Sequence, residues 1–332
     1  MQIRRYSFHE EEIGPSIAKG RDVRGGANVG VVVLGSINLD LIARIKRVPK
    51  AGETGLADTM TTSPGGKGAN QALAARRMGA DTTMLGMIGE DAFAMQALKF
   101  LRQDGVDLSR IGVSREHPTG LAMIVVEESG QNAITVVPGA NRAVGPDVLT
   151  DLAAVLSPKD VLVLQLEIPF DVVEEAIGIA RKVQARVILD PAPASERLPK
   201  SFFRVDVIMP NQFEAETILG TEITDVRSAK AAARHLTSRG AEVGIVKLGE
   251  MGVVWATGRG LFYLPGEKVA SVDAVGAGDA FAGALAARLD AGDPLADAIR
   301  VANHAAALST TRQGAQPSFA TFEEVRQSQP QS

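Results

Sequence analysis

Hydrophobic positions along this chain alternate between short apolar runs and longer stretches of helical period. From residue 29 the run GVVVLGSI is continuously apolar and β-branched, as expected of a strand buried on both faces. Residues 69–78 have helical composition and stop before Gly79. Strand-like and helical stretches then follow in turn at 82–88 and 93–103. Further on come strands at 161–165, 186–189 and 207–209, with helices at 171–182, 213–219 and 228–239. Strands at 243–247 and 252–257 precede two Ala-rich helices near 279–291 and 295–309. Such alternation predicts a mainly parallel sheet covered by helices on both faces.

Two stretches break the pattern. Residues 39–47 with 55–61, and 120–127 with 133–137, read as strand pairs with no helix between them; Ser129 and Gly130 supply the turn of the second pair. Inserted strand pairs of this kind form a small separate sheet, here expected as a lid over a site. Its open edges would suit coverage by a second subunit, so a homodimer through the lid is expected. Residues 1–28 have mixed charge and no apolar period and read as a disordered extension; 327–332 are a polar tail.

At ~150 residues per domain, 332 residues suggest two domains or one large domain with insertions, and the strand pairs favour the second. The near balance of 35 Lys+Arg against 39 Asp+Glu argues against a nucleic-acid or anionic-membrane surface. No apolar run reaches the ~20 residues of a membrane span. Without a signal segment either, the expected location is the cytoplasm. The chain has no cysteine, which removes disulfides, thiolate nucleophiles and Cys-ligated metals from consideration.

Two common nucleotide motifs fail. Gly66-Lys67 is followed by Gly68 rather than Ser or Thr, and the first strand is followed by GSINLD with a single glycine. A nicotinamide dehydrogenase is therefore not expected. What does occur is Asp273-Ala-Val-Gly276-Ala277-Gly278-Asp279 before an Ala-rich helix. Backbone amides converging at a helix start make an anion hole, and Asp279 there can accept a proton from an attacking hydroxyl. A glycine-rich turn with an N-capping Asp would account for the same residues. A second loop, Ser63-Pro-Gly-Gly66-Lys67-Gly68-Ala-Asn70, also leads into a helix. Asn38 and Asp40 lie just past the first strand, where open α/β sheets place ligand groups, although an Asx turn explains such a pair equally well.

GSINLD, GGKGANQA, LQLE, PNQFEAE, KLGEMG, DAVGAGDAF and TRQGAQPS stand in this order between about residues 31 and 318. In this combination the chain resembles the phosphofructokinase-B-type sugar and nucleoside kinases, and its GGKGANQ with GSINLD is closer to their ribose kinases than to adenosine or fructose kinases. The resemblance implies the ribokinase-like fold, a three-layer α/β/α domain spanning 29–326 with a mainly parallel sheet and a small β-sheet lid. It implies transfer of the ATP γ-phosphoryl group to the 5-hydroxyl of D-ribose. Deoxyribose or a nucleoside is the nearest alternative substrate, and a non-catalytic sugar- or nucleotide-binding regulator is a more distant one.

Carried over residue by residue, the sugar would be held by Asn38, Asp40, Gly66, Lys67, Asn70 and Glu167. Asp279 would be the catalytic base, and Gly276, Ala277 and Gly278 the anion hole. ATP would lie along Lys247, Leu248, Gly249, Glu250, Met251 and Gly252, with Asn211 near its phosphates, Gly278 beside them and Asn303 near the base. Asn211 and Glu214 would organise Mg²⁺ through water. Asp273 and the carbonyl of Val275, with Ser309, Arg312, Gly314 and Ser318, would form a K⁺ loop. The sequence departs from the family pattern at Ala274, where Thr is frequent. Glu250 is unusual inside the nucleotide loop, and residues 1–28 have no family role.

Overall fold

The computed structural model describes residues 4–5, 30–129 and 131–328. The expected disorder of 1–28 falls almost entirely outside these residues. Among them, strand β1 (Arg4–Arg5) pairs antiparallel with Val113 and Gly112 at one edge of the main sheet.

The run after residue 29 forms β2 (Val31–Leu34), and each of its residues is buried. It sits near the middle of a ten-stranded sheet. On one side lie β5 (Thr82–Gly89) and β6 (Asp107–Ser114), parallel to it. On the other side follow β9 (Val161–Leu164), β10 (Arg186–Leu189), β11 (Val207–Ile208) and β12 (Val243–Lys247), also parallel. The hairpin β13 (Val253–Thr257) and β14 (Gly260–Leu264) closes the far edge antiparallel. Chain order therefore runs outward from β2 in both directions. The crevice beyond the carboxyl ends of β2 and β9 is the switch point at which such sheets bind ligands.

Two apolar layers cover the sheet. One is built on helices α1 (Lys67–Arg77), α2 (Ala92–Ala97), α3 (Lys99–Gln103), α8 (Ala277–Asp290) and α9 (Leu295–Ser309). The other is built on α4 (Pro146–Val155), α5 (Phe170–Val183), α6 (Gln212–Leu219) and α7 (Val226–Ser238). The short helix α10 (Phe322–Ser328) follows α9. The three-layer α/β/α expectation holds. The single helix expected over 93–103 is divided at Leu98, whose φ of −90° and ψ of 1° interrupt the helical turn.

The lid is a separate four-stranded sheet of order β4-β3-β7-β8, formed by β3 (Asn38–Ile45), β4 (Ala57–Gly65), β7 (Gly120–Glu127) and β8 (Asn132–Val137). β3 pairs parallel with β7 and antiparallel with β4, the latter in the register Asn38↔Gly65 and Asp40↔Ser63. Met60, Met123, Ile134 and Val136 on this sheet are exposed. No helix among the described residues is long and apolar enough to cross a membrane.

Candidate active site

The site is assembled at the carboxyl ends of the parallel strands. Asn38 and Asp40 lie within β3 rather than in a turn, so their side chains share one face of the lid's inner strand. Asn38 is buried and its Oδ1 accepts a 2.7 Å hydrogen bond from Asn141, which also bridges the backbone of Ile37. Glu167, just past β9, accepts from the backbone N–H of Lys67 at 3.1 Å and from the hydroxyl of Ser36. That hydroxyl also receives the N–H of Gly68 at 3.3 Å, so a single serine ties the β2 turn, Glu167 and the start of α1 together.

Asp279 is buried in the first turn of α8. Gly276 occupies the N-cap at φ 79°, a left-handed conformation open to glycine, and no side chain caps this helix. Asp279 is thus not a capping residue. Its carboxylate accepts from Asn70 at 2.9 Å and from Gln71 at 3.0 Å, both on α1. This contact needs close helix crossing: a Cβ on Gly283 would lie 2.5 Å from the Ala74 Cβ and 2.6 Å from the Ala75 nitrogen. Gln71 donates as well to Asp190 at 2.9 Å and accepts from Gln165 at 2.6 Å. Asp190, past the end of β10, takes a 2.9 Å bond from the Lys247 ammonium.

Electrostatics follow from this crowding. Burial pushes the Asp40 carboxyl up to about 7, and the charges of Glu167 and Asp279 push the same way. Burial likewise raises Asp279; Lys67 works against that rise, Asp190 adds to it, and the bonds from Asn70 and Gln71 oppose it. For Lys67 burial alone would favour the neutral amine. The carboxylates of Asp279, Asp190, Glu167 and Glu214 overcome it, and the ammonium is held more firmly charged than an ordinary lysine. Such a pocket is acceptor-rich, with the Lys67 ammonium firmly charged and that of Lys247 paired to Asp190, and suits a neutral polyol beside an anionic group.

The nucleotide-loop residues also meet at the sheet rim. Gly249–Met251 form a single tight turn between β12 and β13, closed by the Leu248 N–H bonding to Gly252 at 2.8 Å. Asn211 caps α6 and exchanges hydrogen bonds with Glu214 in a capping box, 2.8 Å one way and 2.7 Å the other. Burial raises the Glu214 carboxyl, Asp190 adds to the rise, and Lys247 opposes it. Asn303 reaches the carbonyl of Pro265 at 3.5 Å. The Asp273 carboxylate binds the N–H groups of Val275 and Gly314 at 3.0 and 2.9 Å, closing the loop around it. Ser309 and Ser318 are buried beside this loop, whereas the Arg312 guanidinium turns to Glu324 at 2.6 Å.

Residues 29–321 match the pfkB family of carbohydrate kinases. The chain belongs to that family. It is a sugar kinase by that membership, and its fold is the one expected. The ribokinase of Staphylococcus aureus (strain COL) is 37% identical over 90% of this chain and 98% of its own length. A deoxyribokinase of Salmonella typhi is 34% identical over 90% of this kinase and 97% of its own length. Among solved structures, Arabidopsis thaliana ribokinase complexed with ribose and ATP superposes with a TM-score of 0.84 at 30% identity, covering 91% of this chain and 98% of that one.

Sequence reasoning missed Ser36, Gln71, Asn141, Gln165, Asp190 and Gln316. Gln316, in the turn after Gly314, donates to Asn70 at 3.0 Å and so joins the Asp273 loop to the helix that holds Asp279. Ser36, Gln71, Gln165 and Gln316 lie inside the quoted motifs without a role of their own there, and Asn141 and Asp190 lie outside them. A buried carboxamide is recognisable only once its partner, here 94 to 246 positions away, has been brought beside it.

Proposed function

We propose that this kinase transfers the γ-phosphoryl group of ATP to the 5-hydroxyl of D-ribose, giving D-ribose 5-phosphate and ADP. The observation that carries the reading is the meeting of sugar-binding acceptors on β3 and at Glu167 with a buried carboxylate in the first turn of α8. The ribokinase relatives, one of them solved with ribose and ATP, support it.

Asn38, Asp40 and Glu167 accept hydrogen bonds from the ring hydroxyls, and Lys67 with Asn70 closes the other side. Asp279 takes the proton of the 5-hydroxyl as that oxygen bonds to phosphorus and the bridging oxygen leaves with ADP. Its raised affinity for protons brings it nearer to the hydroxyl it must deprotonate. The N–H groups of Ala277 and Gly278, at the positive end of α8, meet charge growing on the transferring group. ATP lies along Lys247–Gly252, with Asn303 toward the base and Asn211 toward the phosphates.

The two cations fit different residues. No cluster of three or more acidic, His or Cys ligands exists among the described residues, so Asn211 and Glu214 suit Mg²⁺ held through water rather than in a cage. Asp273, the Val275 carbonyl and the closed loop to Gly314 offer oxygens to K⁺. Bound there, Mg²⁺ would neutralise phosphate charge and K⁺ would hold the anion-hole turn in shape. The exposed apolar residues of the lid support a homodimer through that sheet, and the kinase works in the cytoplasm.

The test is ATP consumption against a panel of pentoses, deoxypentoses, hexoses and nucleosides with Mg²⁺ and K⁺ present. D-Ribose should give the highest kcat/KM. Preference for 2-deoxyribose would reassign the substrate along the line of the Salmonella relative. Turnover of none would leave a sugar- or nucleotide-binding regulator.

A further inference from the structure

His304 stands buried in the Ala-rich helix α9, one residue beyond Asn303. Both of its ring nitrogens are engaged. Nδ1 meets the carboxylate of Glu267, in the connection between β14 and α8, and Nε2 lies 2.9 Å from the hydroxyl of Ser328 at the end of α10. An ionised carboxylate only accepts, so Nδ1 carries a hydrogen and donates it to Glu267. The segment held in this way has little else to fix it. Residues 265–268 lie outside helix and strand, and among the described residues no backbone–backbone hydrogen bond involves them. Two neighbouring side chains of α9 hold them instead: Asn303 on the Pro265 carbonyl at 3.5 Å, and His304 on Glu267.

The same segment lies directly against the nucleotide turn. A Cβ built on Gly266 would stand 2.1 Å from the Glu250 carbonyl oxygen and 3.0 Å from the Gly252 nitrogen, so backbone rests on backbone. The Tyr263 hydroxyl adds a 3.0 Å bond to the Met251 carbonyl. A displacement of Glu267 therefore passes to residues 250–252 with no flexible side chain between to absorb it.

We propose that His304 is a positioning residue for the nucleotide: its bond to Glu267 fixes the segment 265–267, which backs the Glu250–Gly252 turn and adjoins Asn303. Ser328 steadies the ring from the other side, and its hydroxyl is itself bonded to the Glu324 carbonyl at 2.7 Å, so the clamp is anchored in α10. The partners of His304 lie away from Asp279 and from the sugar contacts. Its effect therefore falls on how tightly the nucleotide is held and not on the transfer step.

The inference rests on ATP lying along Lys247–Gly252, and the experiment separates the two readings. Wild type, His304→Ala, His304→Gln, Glu267→Ala and the double variant His304→Ala/Glu267→Ala are compared. Steady-state kinetics vary ATP and D-ribose separately, and calorimetric titration measures ADP binding without sugar. Glu267 is 30% exposed, so Glu267→Ala cuts the same bond without opening a cavity and supplies a folded variant if His304→Ala fails to fold. In both single Ala variants the ATP KM and the ADP Kd should rise about tenfold, the cost of one hydrogen bond to a charged partner. The kcat and the D-ribose KM should stay within about twofold. His304→Gln keeps a donor for Glu267 and should recover most of the loss, and the double variant should be no worse than either single one. Unchanged ADP affinity in the Ala variants overturns the role of His304. So does a parallel loss in kcat, ribose KM and ATP KM, which marks a merely weakened fold, and so do additive losses in the double variant. A wild type that binds no ADP overturns the nucleotide site and the inference with it. A wild type that binds ADP but consumes ATP on no sugar overturns the kinase reading, while the ADP titrations still decide His304.

Discussion

Asp40 offers the sharpest test of the sugar site, because its proton equilibrium falls inside the working range. Burial, reinforced by Glu167 and Asp279, brings it to about 7 from an ordinary 3.8. Only the ionised carboxylate is a pure acceptor for two sugar hydroxyls. With a midpoint near 7, the ionised fraction is ~0.9 at pH 8 and ~0.1 at pH 6, so ribose affinity should weaken about tenfold over that span. Calorimetric titration with D-ribose, without nucleotide, isolates this from the chemistry of Asp279. Asp40→Asn should bind ribose roughly 10–100-fold more weakly, the cost of losing hydrogen bonds to a charged partner. Its affinity should also lose most of the pH slope. The unliganded protein gives a second readout. A carboxyl with a raised folded pKa contributes stability that is complete below about 4 and is lost as pH rises through about 7. Wild type should therefore lose thermal stability relative to Asp40→Asn between pH 6 and pH 8. A flat ribose affinity in wild type from pH 6 to 8, or an unchanged slope in Asp40→Asn, would refute the assignment.

Asp279→Asn should retain sugar binding while kcat falls by ~10² or more, the scale of a positioned base; near-normal turnover in a folded variant would sink that role. Rates in K⁺, Na⁺ and choline buffers should differ in wild type and converge in Asp273→Ala, and equal wild-type rates would exclude the cation loop. Gly283→Val should cost about 1–3 kcal/mol through overpacking against Ala74, with Tm falling and kcat falling further as Asn70 and Gln71 shift from Asp279. Ile134→Glu on the exposed lid face should convert a dimer to a monomer in analytical ultracentrifugation, and an unchanged mass would remove the lid as the interface.

The legible elements share a physical cause. Residues 186–189 and 243–247 read correctly from end to end because the apolar stretches 187–189 of β10 and 244–246 of β12 are buried on both faces. β6 went unread because DLSRIGVS mixes polar residues into a strand near the sheet edge, and its register shifts against β5. The active-site glycines were visible because backbone approach to a helix start imposes a local spacing. Gln71 and Asp190 were not, since a polar residue behind an apolar run reads as a strand end or a solvated helix face. Their roles depend on α1 crossing α8 and on β10 lying beside β11.

The strand that carries Asn38 and Asp40 is a strand of the lid, and β4 returns in register to deliver Gly65 and Lys67 to the same place. Half of the lid sheet and the proposed sugar contacts Asn38, Asp40, Gly66 and Lys67 therefore share a single covalent loop, residues 38 to 67, with β7 and β8 completing the cover. For engineering, this makes specificity and closure heritable as one cassette. A graft of the outer strands alone would tear the register that positions the acceptors. A graft of the whole loop together with β7 would carry substrate choice with it.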